Sequence, residues 1–288
     1  MFINRKYKGL EEAIRKQSPR NYQQGIHLSD SPPAQDTMTD HHALPSLRGK
    51  IAVITGGSNG IGAATARALA REGATVVIGY HQGHDRAQAL CQELPGSHHS
   101  LQMALEDTDS HAAAAQSLRE RFGHIDLLVN SAGFTQRIPH SQIDDLDPTL
   151  FNRIMNANVG GTYAITRALL PLLQASPEAV VVNVSSVSAF TGLGSNMAYC
   201  AAKAALDTLT LSMARAFGPV RFLCVSPASV DTDFVAGRSR AELEKKATQT
   251  PLGRVVTPED VAQSILACAT HLRTATGARI VIDGGHTL

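Results

Sequence analysis

The chain has no tryptophan, and aromatic residues fill only 5% of its 288 positions. Its core must therefore be tiled by Ala, Val, Leu and Ile, and a hydrophobic share of 43% supplies enough of them for one large core. An excess of either charge is also missing. Lys and Arg number 26 against 25 Asp and Glu, a formal net charge of +1. That balance points to neither nucleic acid nor a membrane surface as a partner. No apolar run reaches the ~20 residues of a membrane-spanning helix, and the first positions lack the apolar centre of a secretory signal. A cytoplasmic protein is expected. Cys91, Cys200, Cys224 and Cys268 are scattered with no CxxC pair, which predicts reduced, buried thiols and no disulfide framework. Of the twelve histidines, six fall in doublets (His41-His42, His98-His99) or as the pair His81 and His84. None has zinc-type spacing to a Cys or carboxylate, so no structural or catalytic metal is expected.

Two textures divide what is present. Residues 1–47 are polar and interrupted by Pro19, Pro32, Pro33 and Pro45. Within the first 20 positions, Arg5, Lys6, Lys8, Arg15, Lys16 and Arg20 face only Glu11 and Glu12. The paired glutamates and the lack of a clear amphipathic face argue against a targeting peptide. An N-terminal extension is expected, flexible or lying on a neighbouring subunit, with a short helix around Leu10 to Lys16.

From residue 48 to 288, short β-branched runs alternate with alanine-rich stretches. Strands are expected at Ile51–Thr55, Thr75–Gly79, Leu101–Ala104, Asp126–Asn130, Val180–Val184, Val220–Val225 and Ile280–Ile282, and helices near 61–72, 84–94, 109–122, 149–174, 197–217 and 257–270. Val180-Val181-Val182 is apolar at consecutive positions, as a strand buried on both faces requires. Sustained strand–helix alternation predicts an α/β fold. The expected form is a doubly wound, Rossmann-type, mostly seven-stranded parallel sheet with helices on both faces.

The segment "ITGGSNGIG", residues 54–62, follows the first strand and opens the first helix. In such sheets this is where nucleotide phosphates meet the amides of a helix N-terminus. The spacing Gly56-x-x-x-Gly60-x-Gly62 differs from GxGxxG, yet its glycines can do the same work: turn the chain, admit the pyrophosphate, and let helix pack on strand. Ser58, Asn59 and Ile61 belong to the same loop.

"TGGSNGIG", "NSAG" at 130–133 and "YCAAK" at 199–203 occur in the order and spacing of the short-chain dehydrogenase/reductase family, which residues 48–288 resemble. "NANVGG" at 156–161, "VVNVSS" at 181–186, "SPASVDT" at 226–232 and "VIDGG" at 281–285 extend the match. The resemblance implies a catalytic set of Ser186, Tyr199, Lys203 and Asn158. Tyr199 would exchange the proton with the reacting oxygen, and Ser186, 13 residues earlier, would hydrogen-bond that oxygen; Ser185 and Ser188 are nearby alternatives. Lys203 would hold the nicotinamide ribose, and Asn158, at a helix kink, a water beside the lysine. Tyr199 and Lys203 are four apart and share a helix face. A phenol near pKa ~10 needs roughly 4 kcal/mol of differential stabilisation to titrate near 7, and an adjacent ammonium is an expected source.

The resemblance also assigns cofactor contacts to Asn130, Ala132 and Gly133, and to Pro227, Val230 and Thr232, where Ala228 replaces the family's usual glycine. At the end of the second strand, Tyr80 stands where NAD enzymes carry a ribose-binding acid, His81 follows, and Arg86 lies a turn beyond. NADP(H) is therefore favoured, with Asp85 keeping NAD(H) open. Residues 232–262 are expected to form a lid over the substrate. "TPLGRVVTPEDVA" within it is similar to 3-oxoacyl carrier-protein reductases. "LLQASPEAV" at 172–180 lacks the basic run that would dock an acidic carrier, which favours a free small or medium-sized ketone or its alcohol. Two other readings remain at this point: a catalytically idle NADP(H)-binding sensor or scaffold, and an interaction protein acting through its basic arm. The resemblance further implies a homodimer or homotetramer paired through the helices at 149–174 and 197–217.

Overall fold

Along the first strand, Ala52 and Ile54 enter one apolar layer while Val53 enters the other. No position of that strand faces water, which is why its sequence shows no polar alternation. The computed structural model describes residues 46–288; the expected extension and its short helix lie outside the described residues. Seven strands form one parallel sheet: β1 (Ile51–Thr55), β2 (Thr75–Tyr80), β3 (His99–Gln102), β4 (Leu127–Asn130), β5 (Val180–Val184), β6 (Arg221–Pro227) and β7 (Arg279–Ile282). Their spatial order is β3-β2-β1-β4-β5-β6-β7.

The helices are α1 (Gly60–Arg71), α2 (His84–Glu93), α3 (Thr108–Phe122), α4 (Pro148–Met155), α5 (Gly161–Gln174), α6 (Ser188–Thr191), α7 (Met197–Ala216), α8 (Arg240–Ala247) and α9 (Pro258–Thr270). Residues of α1, α2 and α9 pack into one core layer and those of α3, α5 and α7 into the other. The chain runs outward from β1 to β3, then returns to place β4 on the opposite side of β1. This reversal opens a crevice beyond the C-terminal ends of β1 and β4, the usual ligand position of doubly wound sheets. Among the described residues, no helix is long and apolar enough to cross a membrane.

Three local features depart from the expected elements. The third strand ends at Gln102 instead of continuing to Ala104, because the backbone N–H of Ala104 donates to Ser110 Oγ (3.1 Å) and is drawn toward the first turn of α3. The expected helix at 149–174 is interrupted by a wider π turn at Asn156–Gly160. The lid region carries α8, which hydrophobic periodicity did not reveal because most of its positions are exposed. Its start was legible: Ser239 and Glu242 form a reciprocal capping box.

Candidate active site

The glycine loop is tight enough to exclude side chains. A Cβ on Gly62 would lie 2.2 Å from the Gly56 carbonyl oxygen, and one on Gly56 would lie 2.9 Å from Ala132 Cα. Gly56 and Gly60 have φ of 62° and 50°, where a side chain is strained. Thr55, not singled out from the sequence, fixes the approach of the two loops: its Oγ1 accepts the backbone N–H groups of Ser131 (3.2 Å) and Ala132 (3.1 Å). Asn59 caps α1 by accepting the Gly60 N–H at 2.8 Å. The result is a cleft of about 540 Å³ walled by Gly56, Asn59, Gly60, Ile61, Ala132 and Gly133. This glycine-lined cradle at a helix N-terminus fits the phosphates of a dinucleotide.

Other expected contacts are arranged differently. Asn130 points into the sheet, where its Nδ2 donates to Thr166 Oγ1 (3.0 Å) and Asn183 Oδ1 (2.8 Å); it braces β4 and does not line the cleft. Tyr80 packs edge-on against His84 with ring centroids 5.4 Å apart, while His81 is exposed along the cleft. Space next to Gly83 is shared by the Arg86 guanidinium and Ser58 Oγ, which a Cβ there would meet at 2.7 and 3.0 Å. The Asp85 carboxylate is fully exposed and contacts His84.

A second cavity, of about 500 Å³, shares Ile61, Ser131, Gly133, Thr232 and Phe234 with the cleft. Ser186, Tyr199 and Lys203 all line it, and so do Pro227 and Val230. Ser186 Oγ donates to Ser188 Oγ and accepts the Ser188 N–H, both at 3.1 Å. Ser185 Oγ is instead turned toward the Lys203 carbonyl of α7. Tyr199 is held by the start of α7: Asn196, its N-cap, accepts the Tyr199 N–H at 2.7 Å and donates through Nδ2 to the Gln136 carbonyl at 2.7 Å. The sequence signal for this residue is an Asn preceding a helical pattern. Lys203 Nζ donates to the Val184 carbonyl at 2.8 Å and lies 5.5 Å from the Tyr199 ring centroid. Ala228 lies in the bend just past β6, its N–H donating to the Ile282 carbonyl at 3.0 Å, and it lines the second cavity.

Asn158 sits in the π turn, a helix irregularity often found at functional sites. Its Nδ2 donates to the carbonyls of Phe134 (2.6 Å) and Ile154 (2.9 Å). Its Oδ1 has no hydrogen-bond partner among the described residues and faces Gly133, where a Cβ would come within 2.8 Å.

The electrostatics differ from expectation in one respect. Desolvation is the dominant effect on Tyr199 and pushes its pKa well above that of a free phenol; the Ser186 hydroxyl and the Arg238 charge pull it back. The expected lowering by the lysine is not among these influences, and burial brings Lys203 itself down to about 8. Burial likewise raises the Cys200 thiol, which makes it less reactive.

A family model described as enoyl-(acyl carrier protein) reductase matches residues 56–287. A solved structure described as short-chain dehydrogenase/reductase SDR:glucose/ribitol dehydrogenase from Brucella melitensis superposes with a TM-score of 0.79 at 26% identity, covering 85% of this chain and all of that one (100%). The chain belongs to the short-chain dehydrogenase/reductase family. Among curated relatives of this short-chain dehydrogenase/reductase, cis-4-hydroxycyclohexanecarboxylate dehydrogenase of Sinomonas cyclohexanicum is 34% identical over 244 residues, 83% of this chain and 96% of the relative. The 3-oxoacyl-[acyl-carrier-protein] reductase FabG of Aquifex aeolicus is 33% identical over 246 residues, 83% and 98% of the two chains. The protein is thus an oxidoreductase of CH–OH or C=O groups, from a family that uses NAD(P).

Proposed function

We propose that the protein is an NADP(H)-dependent oxidoreductase that interconverts a small or medium-sized ketone and its secondary alcohol, with Tyr199 as general acid and base. The observation that carries this reading is the gathering of Ser186, Tyr199 and Lys203 on one cavity that runs into the glycine-lined cleft. A nicotinamide bound at that junction supplies or accepts the hydride. Ser186 Oγ donates a hydrogen bond to the carbonyl oxygen and stabilises the negative charge that develops there. Tyr199, kept protonated at neutral pH by its walls, gives its proton to the same oxygen; in the reverse direction it takes the proton from the alcohol. Lys203 spends one N–H on the Val184 carbonyl and keeps its others for the ribose hydroxyls. Asn158 Oδ1 holds a water on the path from Lys203 to solvent. The preference for NADP(H) rests on Arg86 beside Ser58 and on an Asp85 carboxylate turned to solvent. The cell compartment we assign is the cytoplasm.

A second reading, a 3-oxoacyl carrier-protein reductase, is favoured by the exposed Lys245 and Lys246 at an adjoining cavity. An idle sensor or scaffold has no use for the gathered Ser, Tyr and Lys. The test is Tyr199→Phe, assayed with NADPH on a panel of ketones that includes 4-oxocyclohexanecarboxylate and a 3-oxoacyl thioester. Loss of the general acid should lower kcat by about 10²- to 10⁴-fold while NADPH still binds. A variant that turns over as fast as the parent would remove Tyr199 from the mechanism.

A further inference from the structure

In the lid, several charges are paired. Arg137 forms a bidentate pair with Glu242 (3.1 and 3.2 Å), and Arg240 pairs with both Asp231 and Glu244. Arg238 and Lys246 are different. Neither has an acidic partner within 4.0 Å among the described residues, and both line the cavity that holds Tyr199. Aspartate and glutamate are absent from the lining of that cavity, whereas Leu193, Phe234 and Val235 give it an apolar side.

We propose that the substrate carries a carboxylate, and that Arg238, assisted by Lys246, binds it at the lid end of the cavity while the carbonyl or hydroxyl carbon meets Ser186 and Tyr199. This rests on the oxidoreductase reading above and narrows its substrate to oxo or hydroxy acids with an apolar body. The half-buried Arg238 guanidinium loses hydration and is repelled by the neighbouring, exposed Lys246, a cost that an anion offsets. The pKa directions agree. Desolvation lowers Arg238, with Arg137 adding to the effect against an opposing pull from Tyr199 and Glu242, and desolvation lowers Lys246, with Arg238 and Arg137 adding to it against Glu242. A guanidinium suits a carboxylate because its fork donates two parallel hydrogen bonds. A carrier protein's acidic surface would meet bases on the outside of the lid; Arg238 is half-buried on the cavity wall, within reach of a small ligand.

The experiment compares ω−1 oxo acids, from 4-oxopentanoate to 8-oxononanoate, with their methyl esters and with the neutral thioester acetoacetyl-N-acetylcysteamine, all with NADPH. The readout is the acid-to-ester ratio of kcat/KM on one carbon skeleton. The ester acts as an internal reference for any general effect of Arg238 on Tyr199. In the wild type the ratio should reach about ten- to hundred-fold at the best chain length, and it should collapse toward one in Arg238→Gln. Lys246→Gln should lower it partway. The wild-type comparison needs no variant, so a poorly folding Arg238→Gln does not protect the proposal. An ester or the thioester used as well as the acid overturns it, as does an Arg238→Gln enzyme with an unchanged ratio. Absence of turnover on every carbonyl, with NADPH bound, instead overturns the oxidoreductase reading on which the proposal depends.

Discussion

At the scale of single residues, the NADP(H) preference we propose turns on Arg86. The guanidinium stands beside Ser58 at the rim of the glycine loop, and among the described residues no carboxylate lies within ion-pair distance of it. Charge-assisted hydrogen bonds to a 2′-phosphate are worth about 1.5–3 kcal/mol, or roughly ten- to hundred-fold in affinity. Arg86→Gln should therefore weaken NADPH binding by about that factor and leave NADH nearly untouched, measured by cofactor fluorescence titration of both nucleotides. Equal weakening of the two would mean that Arg86 supports only the loop. The sequence made this residue visible because it lies six positions beyond the end of a recognisable strand. It could not reveal Arg238 or Lys246, which reach the cavity only through the course of the lid. Nor could it show Asn130 turning into the sheet, since that rotation depends on Thr166 and Asn183, 36 and 53 residues away.

Among the elements, the junction of β1 and α1 is the least tolerant of change. Gly62 lies in the first turn of α1, against the Gly56 carbonyl oxygen, where a methyl group at 2.2 Å must push the helix off the strand. Overpacking of this kind typically costs about 1–3 kcal/mol. Gly62→Ala should lose that much stability in denaturant titration, and its affinity for either nucleotide should fall by at least about ten-fold because the cradle widens. Normal nucleotide affinity in this variant would break the link between the loop and the cofactor. Here sequence and structure agree closely, since glycine spacing is a direct record of backbone contact. The lid is the opposite case. Its helix α8 shows almost no apolar stripe, so its existence depends on the Ser239 cap and on ion pairs from Arg137 and Arg240. A π turn is harder still to foresee, because one extra residue per turn leaves the composition of "NANVGG" unremarked by any periodicity.

Over the whole molecule, the sheet is pinned at its base as well as filled at its core. We propose a homodimer or homotetramer paired through α5 and α7, where Tyr163 and Leu211 are exposed (47% and 46% accessible). Light scattering should find one of those masses, and a monomer at all concentrations would refute it. The pin is Asp126, just before β4. Its carboxylate accepts the Ile51 N–H (2.8 Å), Ser176 Oγ (2.7 Å) and Lys50 Nζ (3.2 Å), tying the starts of β1 and β4 to the segment that leads into β5. Burial by itself would raise this carboxyl, but the Ile51 amide, the Ser176 hydroxyl and Lys50 together hold it below its ordinary 3.8. A carboxylate with a depressed folded pKa contributes stability above the unfolded value, and that contribution is lost as pH falls through the folded one. Asp126→Asn should thus cost about 1–3 kcal/mol at neutral pH, because a charged acceptor is removed from buried donors. The gap between variant and parent should narrow as the pH drops below about 3.8, where the unfolded parent takes up a proton that the folded carboxylate still resists. Denaturant midpoints measured for both proteins from pH 7 down to pH 3 would show this convergence. A gap that stays constant across that range would mean that Asp126 acts by shape alone, and that the base of the sheet is held by packing.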